Sequence, residues 1–321
     1  MTGKAKVAIL ISGGGTNMAA LLYASHAPAC PYQIVLVASN NPLAAGLKLA
    51  EAEGIATFAH SHKGIPRAEH DRIMDSAVRE SGAQYVALAG YMRILSDEFV
   101  EQWQGHMLNI HPSLLPKYKG LDTHQRAIAA GDSHSGCSVH LVTPLLDDGP
   151  VLAQSKVAII GSDTADTLAE RVKLAEHQLY PRALAHYVGR HDNPEWLLNK
   201  LRAAALSLPE SSERLSHGSP GFRVGPESSG KFFAHFSMQH HGSDAIGVLI
   251  KTSSMDELEA LCEQQPKTYW KPAFYGASGW IGLRLNREDV DWMHVREWLE
   301  RSWRSVAPKR LTKLADAADS F

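Results

Sequence analysis

The sequence predicts an α/β protein in which a doubly wound, mostly parallel sheet is followed by a small α+β domain. Short Val, Ile and Leu runs alternate with helical patterns through the first part of the chain, which is typical of parallel strands covered on both faces. A glycine-rich turn joins the first strand to the first helix, and such turns bind anions. After about residue 190 the strict alternation stops, which indicates a second domain.

The predicted elements of the first domain follow one another in a regular order. Its strands are the apolar runs at residues 6–11, 33–39, 85–90, 106–111, 137–143 and 151–160. Helices are predicted between them, including residues 17–25, 44–54 and 69–82. The helix at 69–82 places Ile73, Ala77 and Val78 on one face and ends at Gly82. After the sixth strand a long helix begins, with Asp163 or Thr164 as its expected N-cap.

The two domains are expected to meet at a turn-rich stretch, GRHDNPE, at residues 189–195. We therefore predict domains at residues 1–193 and 194–321. The second domain has predicted strands at residues 231–239, 245–252 and 279–285, and predicted helices at residues 254–265 and 291–306.

The composition is that of an ordinary globular protein, with 44% hydrophobic and 21% charged residues. A formal net charge of −2 gives no sign of nucleic-acid or anionic-membrane binding. Three widely spaced cysteines without a C-x-x-C pair fit a reducing compartment and argue against a disulfide framework or a thiolate metal site. The first apolar run is too short for a secretory signal, and no run approaches the ~18 residues of a membrane span. We expect a cytoplasmic protein.

The stretch LISGGGTNM opens the first helix with a glycine loop. A dinucleotide fingerprint does not fit, because its third glycine would fall on Met18 and residues 39–41, after the second strand, are not acidic. No Gly-Lys-Ser/Thr follows, which excludes a Walker loop. A single phosphate held by Gly15, Thr16 and Asn17 is the favoured interpretation, and a plain tight turn is the alternative.

The polar residues at the end of the fourth strand raise the question of chemistry. Asn109 and His111 lie two residues apart, so their side chains point to the same side of a strand. His140 lies in the next strand pattern, and Asp147 and Asp148 fall in a turn. Amide, imidazole and carboxylate groups suit formyl or acyl transfer to an amine. A capped strand end and an ordinary Asp-Asp-Gly-Pro turn are the structural alternatives. Without a G-x-S-x-G elbow or a placed cysteine, direct transfer is favoured over a covalent intermediate.

Five separated motifs give the chain a clear family resemblance. They are ISGGGTN, AGYMRILS, LNIHPSLLPKYKG, GCSVHLVTPLLDDGPV and ERVKLAEHQLYP. Together, over about residues 5–192, they resemble phosphoribosylglycinamide formyltransferase. The resemblance implies the formyltransferase fold, 10-formyltetrahydrofolate as co-substrate, the amine of 5′-phosphoribosylglycinamide (GAR) as acceptor, and no metal. A homodimer is one expected assembly.

The resemblance also implies roles for individual residues. Asn109, His111 and Asp147 match the catalytic trio, and Asp147 is chosen over Asp148 because it keeps the family's seven-residue offset from His140. The implied substrate residues are Gly15, Thr16, Asn17 and Glu176 for GAR, and Arg67, Met92, Arg93, Ile94 and Leu95 for the folate. Plain core is the alternative interpretation of Met92, Ile94 and Leu95. Glu176 would be interpreted as a solvated helix face and Arg67 as a surface charge.

Three alternatives stay open at this point. A formyltetrahydrofolate hydrolase would be expected to carry a regulatory domain before the first strand, and a methionyl-tRNA formyltransferase to lack the glycine loop. A non-catalytic scaffold would not need all three trio residues. Residues 194–321 resemble the MmcQ/YjbR-type domain, whose role is not defined. Its aromatic residues Trp270, Phe274, Tyr275 and Trp280 are predicted to form a core with an amphipathic rim rather than a ligand platform.

Overall fold

The computed structural model describes residues 4–226, 228–238, 245–287 and 289–318. The chain forms two compact units, one ending at Gly189 and the other beginning at Arg190. This division lies a few residues before the predicted boundary at 193. The outer domain limits, residues 1 and 321, and the last residue of the predicted strand at 231–239 lie outside the described residues.

A seven-stranded sheet forms the centre of the first unit. Its strands are β1 (Ala5–Ile11), β2 (Tyr32–Ser39), β3 (Thr57–Ala59), β4 (Tyr85–Leu88), β5 (Met107–His111), β6 (His134–Leu141) and β7 (Val151–Ala158). The spatial order is β3-β2-β1-β4-β5-β6-β7. The first five strands in this order are parallel, whereas β6 pairs antiparallel with both β5 and β7. The predicted mostly parallel sheet is confirmed.

Helices cover both faces of this sheet. They are α1 (Thr16–Ser25), α2 (Ala45–Ala52), α3 (Arg67–Glu80), α4 (Asp97–Gln102), α5 (Thr123–Ala129) and α6 (Ala165–Val188). One buried cluster lies beneath α1, α2 and α6, and another lies beneath α3 and α4. Because β1 is covered by an apolar layer on each face, its sequence is an almost continuous apolar run. Thr164 caps α6 through a reciprocal pair of hydrogen bonds with Thr167.

Several local features of the first unit differ from the sequence prediction. The short elements β3, α4 and α5 were not predicted. On α3, Val78 is buried as expected, but Ile73 and Ala77 are only partly buried. His70, Asp71 and Met74 are buried on that helix instead. A polar pair therefore takes core positions that an apolar pattern cannot reveal.

The strand order creates a topological switch point at the carboxyl edge of the sheet, where ligands bind in open α/β folds. The chain runs outward from β1 to β2 and β3, and then returns to the other side of β1 to form β4 and β5. At such a switch point the loops after neighbouring strands separate and leave a crevice. The glycine loop follows β1, and residues 89–96 follow β4. Both lie at this point.

The second unit contains an antiparallel sheet with helices, as predicted for the α+β domain. Its strands are β8 (Ser211–Ser216), β9 (Ser219–Val224), β10 (Lys231–Met238), β11 (Ile246–Lys251), β12 (Tyr269–Trp270) and β13 (Trp280–Arg284), in the order β12-β13-β11-β10-β9-β8. The helices are α7 (Pro194–Leu206), α8 (Met255–Gln264), α9 (Trp292–Val306) and α10 (Lys309–Ala318). Across the described residues, no helix is long and apolar enough to cross a membrane.

Candidate active site

Four polar side chains meet where β5 and β6 lie side by side. Asn109 and His111 project from β5, and Asn109 is directly opposite His140 on β6. The amide Nδ2 of Asn109 lies 3.2 Å from His140 Nε2. Asp147, in the turn after β6, reaches back so that its Oδ2 lies 3.3 Å from His111 Nδ1 and its Oδ1 lies 3.6 Å from His140 Nε2. The structure therefore brings together the three residues Asn109, His111 and Asp147, with His140 between them.

His140 sets the orientation of the Asn109 amide. Its Nδ1 lies 2.8 Å from the Leu141 carbonyl oxygen, which can only accept, so this nitrogen carries the proton. In the neutral ring Nε2 then accepts a hydrogen bond from Asn109 Nδ2. One proton of the Asn109 amide is thus held, and the second remains available as a donor. No role was predicted for His140 from the sequence, because its contact with Asn109 depends on the antiparallel pairing of β5 with β6.

His111 has hydrogen-bond acceptors at both ring nitrogens. Its Nε2 lies 2.9 Å from the carbonyl oxygen of Tyr118, and its Nδ1 faces the Asp147 carboxylate. Two acceptors are satisfied together only when both nitrogens carry protons. The two oxygen atoms can therefore accommodate an imidazolium at this position, next to the Asn109 amide on the same strand.

Asp147 is a buried carboxylate whose charge is stabilised by its neighbours. Burial alone would raise its pKa, but the hydrogen bond from the Gly120 N–H and the charge of His111 act in the opposite direction, and the pKa lies below its ordinary value. Gly120 donates its N–H to Oδ2 at 2.9 Å. The neighbouring Asp148 is 44% exposed, against 8% for Asp147, and pairs with Lys119 at the surface. Only the first of the two aspartates belongs to the cluster.

The glycine loop forms an open helix N-terminus. Gly15 precedes α1 with φ of +73°, and the helix has no side-chain cap. Gly46 packs so closely that a Cβ on Gly15 would lie 2.9 Å from its Cα. Thr16 begins the helix and is exposed. Uncapped N–H groups at the start of a ten-residue helix are suited to binding a phosphate.

Glu176 connects this loop with α6. Its carboxylate is buried, and Oε2 accepts a hydrogen bond from Asn17 Nδ2 at 2.7 Å. Burial raises the pKa of Glu176, although the hydrogen bond from Asn17 and the charge of Lys173 act in the opposite direction. The other amide atom, Asn17 Oδ1, is buried without a hydrogen-bond partner among the described residues. The interpretation of Glu176 as a solvated helix face is therefore wrong.

The residues assigned to the folate occupy different environments. Met92 and Ile94 are 72% and 57% exposed, so they are not core, whereas Leu95 is buried. Arg93 is partly buried, and Arg67, the first residue of α3, is exposed. The large apolar side chains of Leu145 and Leu146, just before Asp147, are also exposed. These two leucines were not predicted as site residues, because they lie in a turn that gives no periodic signal.

Comparison with known proteins identifies both parts of the chain. A formyl transferase family model matches residues 5–184, and a YjbR family model matches residues 206–305. Phosphoribosylglycinamide formyltransferase from Escherichia coli (strain K12) is 41% identical over 196 residues, which cover 60% of this chain and 92% of that protein. The described residues contain no group of three or more His, Cys, Asp or Glu side chains arranged to hold a metal ion.

Longer relatives and solved structures match the same region. The trifunctional purine biosynthetic protein adenosine-3 of Bos taurus is 47% identical over 182 residues, which cover 56% of this chain but only 18% of that protein. The crystal structure of phosphoribosylglycinamide formyltransferase from Brucella melitensis has 48% sequence identity and a TM-score of 0.56, covering 58% of this chain and 96% of that one. The chain belongs to the formyl transferase family, within its phosphoribosylglycinamide formyltransferase group, and carries a YjbR domain after the family domain.

Proposed function

We propose that this protein transfers the formyl group of 10-formyltetrahydrofolate to the amine of GAR, giving formyl-GAR and tetrahydrofolate for purine synthesis. The observation that carries the proposal is the cluster of Asn109, His111 and Asp147 at the carboxyl edge of a formyltransferase sheet. The family supports the reaction class, and the roles below follow from the chemistry of each group.

The first step is attack of the GAR amine on the formyl carbon. The carbonyl oxygen of the formyl group becomes an oxyanion, which needs donors already in place. The second Nδ2 proton of Asn109 is one donor, because His140 holds the first. A proton of the His111 imidazolium is the other. In this arrangement Tyr118 and Asp147 occupy the two His111 protons, so the oxyanion replaces the Tyr118 carbonyl oxygen as acceptor.

Completing the transfer requires one proton to move between two nitrogens. The amine nitrogen loses a proton after attack, and N10 of the folate gains one as its bond to the formyl carbon breaks. Asp147 is ionised at neutral pH because its pKa is depressed, so it can accept the proton through a water molecule and return it to N10. Its negative charge also stabilises the His111 imidazolium across 3.3 Å.

The acceptor substrate is held at the glycine loop and α6. The N–H groups of Gly15, Thr16 and Asn17 bind the phosphate, helped by the dipole of α1. Glu176 accepts hydrogen bonds from the ribose or the amine region. Its raised pKa reflects a carboxylate buried with few donors, and substrate hydroxyls or an ammonium group would supply them.

The formyl donor is placed on the other side of the cluster. The backbone of residues 92–95 binds the pterin ring, and the exposed side chains of Met92 and Ile94 contact the rest of the folate. Arg67 and Arg93 provide positive charge beside an anionic co-substrate. Exposed apolar side chains beside a polar cluster are a common feature of ligand sites.

The test is a spectrophotometric assay of folate release by the full-length chain, with and without GAR. Release that requires GAR, together with formyl-GAR as product, supports the proposal. Release without GAR indicates a hydrolase, and no release with GAR indicates a scaffold. Either of these two outcomes would overturn the assignment.

A further inference from the structure

The folate segment, residues 92–95, is held by a hydrogen bond at each end. Met92 donates its backbone N–H to the hydroxyl of Ser12 at 2.8 Å. Ser96, the residue after the segment, donates its backbone N–H to Asp71 Oδ2 at 2.6 Å. Both acceptors are side chains from other elements, the end of β1 and the first turns of α3. Neither residue belongs to the catalytic cluster or to the substrate residues assigned above.

The hydroxyl group of Ser12 both accepts and donates a hydrogen bond. The oxygen accepts from Met92, and the hydroxyl proton is donated to Asn40 Oδ1 at 2.7 Å. Asn40 is buried at the end of β2, so the hydroxyl has a fixed direction. The backbone N–H of Ser12 also donates to Gly90 O at 3.1 Å. The residue after Ser12 begins the glycine loop, so this one side chain ties the start of the folate segment to the phosphate site.

Asp71 is a buried carboxylate with an unusual environment. It is 1% exposed, and its Oδ1 has no hydrogen-bond partner among the described residues, the nearest cationic candidate being His70 Nδ1 at 3.6 Å. The charge of Asp71 contributes to the raised pKa of Tyr91, after burial, so these two side chains are neighbours. Ser96 is in turn the N-cap of α4. A carboxylate accepting a backbone N–H in a dry environment makes a strong bond.

The segment between these two bonds alternates in exposure. Met92 and Ile94 point to solvent and Leu95 points into the core. A backbone that binds a planar ring through its own N–H and C=O groups must be held in a fixed position, because hydrogen bonds weaken steeply with changes in distance and angle. Bonds at the two ends of a four-residue segment provide this without occupying the groups in between.

We propose that Ser12 and Asp71 are positioning residues for the formyl-donor site, fixing the two ends of the segment that reads the pterin. This proposal rests on the proposed function of residues 92–95. Both residues act through the backbone of the segment. Their loss changes the affinity for the folate and leaves the chemistry of the catalytic cluster intact.

The experiment measures kcat and both KM values for Ser12→Ala, Ser12→Thr, Asp71→Ala and Asp71→Asn in the full-length protein. Ser12→Ala is expected to raise KM for 10-formyltetrahydrofolate about fivefold, the effect of one neutral hydrogen bond, and Asp71→Ala about tenfold. KM for GAR and kcat stay within about twofold. Threonine keeps the hydroxyl and asparagine keeps an acceptor oxygen, so both conservative variants recover most of the folate affinity.

The control is Ser76→Ala, an exposed hydroxyl on the same helix as Asp71 that bonds only Glu80 among the described residues. It should behave as wild type. If Asp71→Ala does not fold, the Ser12 pair of variants carries the test. An unchanged KM for the folate in Ser12→Ala, or an equal rise in both KM values without recovery by threonine, overturns the proposal. Failure of the proposed function gives a different result, because the wild-type protein itself then releases no folate in the presence of GAR. In that case the proposal for Ser12 and Asp71 fails as well.

Discussion

Replacing Asp147 by asparagine isolates the effect of one negative charge in the proposed catalytic cluster of Asn109, His111 and Asp147. The change keeps the size of the side chain and an oxygen acceptor for the Gly120 N–H. It removes the charge that lies 3.3 Å from His111 Nδ1 and the group that is proposed to relay the proton. No cavity is created, so a loss of activity cannot be attributed to packing.

The expected magnitude follows from the distance. At an effective dielectric constant of about 20, unit charges 4 Å apart interact by about 4 kcal/mol, and both side chains here are buried. The asparagine oxygen retains part of that interaction. We therefore expect kcat to fall by about 10² to 10³, which corresponds to about 3 to 4 kcal/mol in the activation free energy. KM for GAR should change little, because in the proposed mechanism the glycine loop and Glu176, not Asp147, bind GAR.

The assay is GAR-dependent folate release, and the matched control is Asp148→Asn. Asp148 carries the same charge in the same turn but is exposed and pairs with Lys119. Surface ion pairs contribute little, so the control should keep kcat within about threefold of wild type. The proposed role of Asp147 is wrong if Asp147→Asn keeps more than a tenth of the wild-type kcat, or if Asp148→Asn loses as much activity.

Four further changes test other parts of the molecule. Asn109→Ala removes a proposed oxyanion donor and should lower kcat in the folate-release assay by about 10² to 10³. Glu176→Gln should raise KM for GAR but also raise the melting temperature at pH 8. The pKa of Glu176 is raised in the folded state, so its ionised carboxylate destabilises the wild-type protein at this pH, and the destabilisation disappears as the pH falls. Gly15→Ala should weaken GAR binding and destabilise the first unit by about 1 to 3 kcal/mol, because φ is positive and Gly46 is in contact. Burial lowers the pKa of His235 to about 4, so the second unit should lose up to about 3 kcal/mol as the pH falls from 6.5 to 4. His235→Phe should remove that loss in urea titrations followed by tryptophan fluorescence, since six of the seven tryptophans lie in the second unit.

The parallel half of the first unit could be predicted from sequence because its signals are local. Buried parallel strands are continuous apolar runs, and strand alternation alone places Asn109 and His111 on one side. The choice of Asp147 over Asp148, by contrast, came from family resemblance, since both residues have the same chemistry and the same turn propensity. The structure separates them by burial, which depends on how the turn after β6 folds back.

Other features depend on contacts between distant residues and have no local signal. The contact of His140 with Asn109 requires knowing that β6 reverses direction beside β5 and in which register it pairs. Asp71 is charged, and its burial on α3 contradicts the expectation from periodicity. The helices α4 and α5 are only six and seven residues long, too short to show a repeating apolar face.

Because β5 and β6 pair in a fixed register, a change in the length of either strand would alter the candidate active site. Asn109 faces His140 because the two strands pair as they do, and the buried hydroxyl of Ser138 supports that pairing by accepting from Leu115 N and donating to Ser113 O. Deleting one residue from β5 or from β6 would separate the Asn109 and His140 side chains onto opposite faces of the sheet. Residues 112–133 connect the two strands, and much of this connection does not take part in the strand pairing. Insertions in part of this connection can be accommodated without changing the pairing, whereas the strands on either side tolerate no change in length.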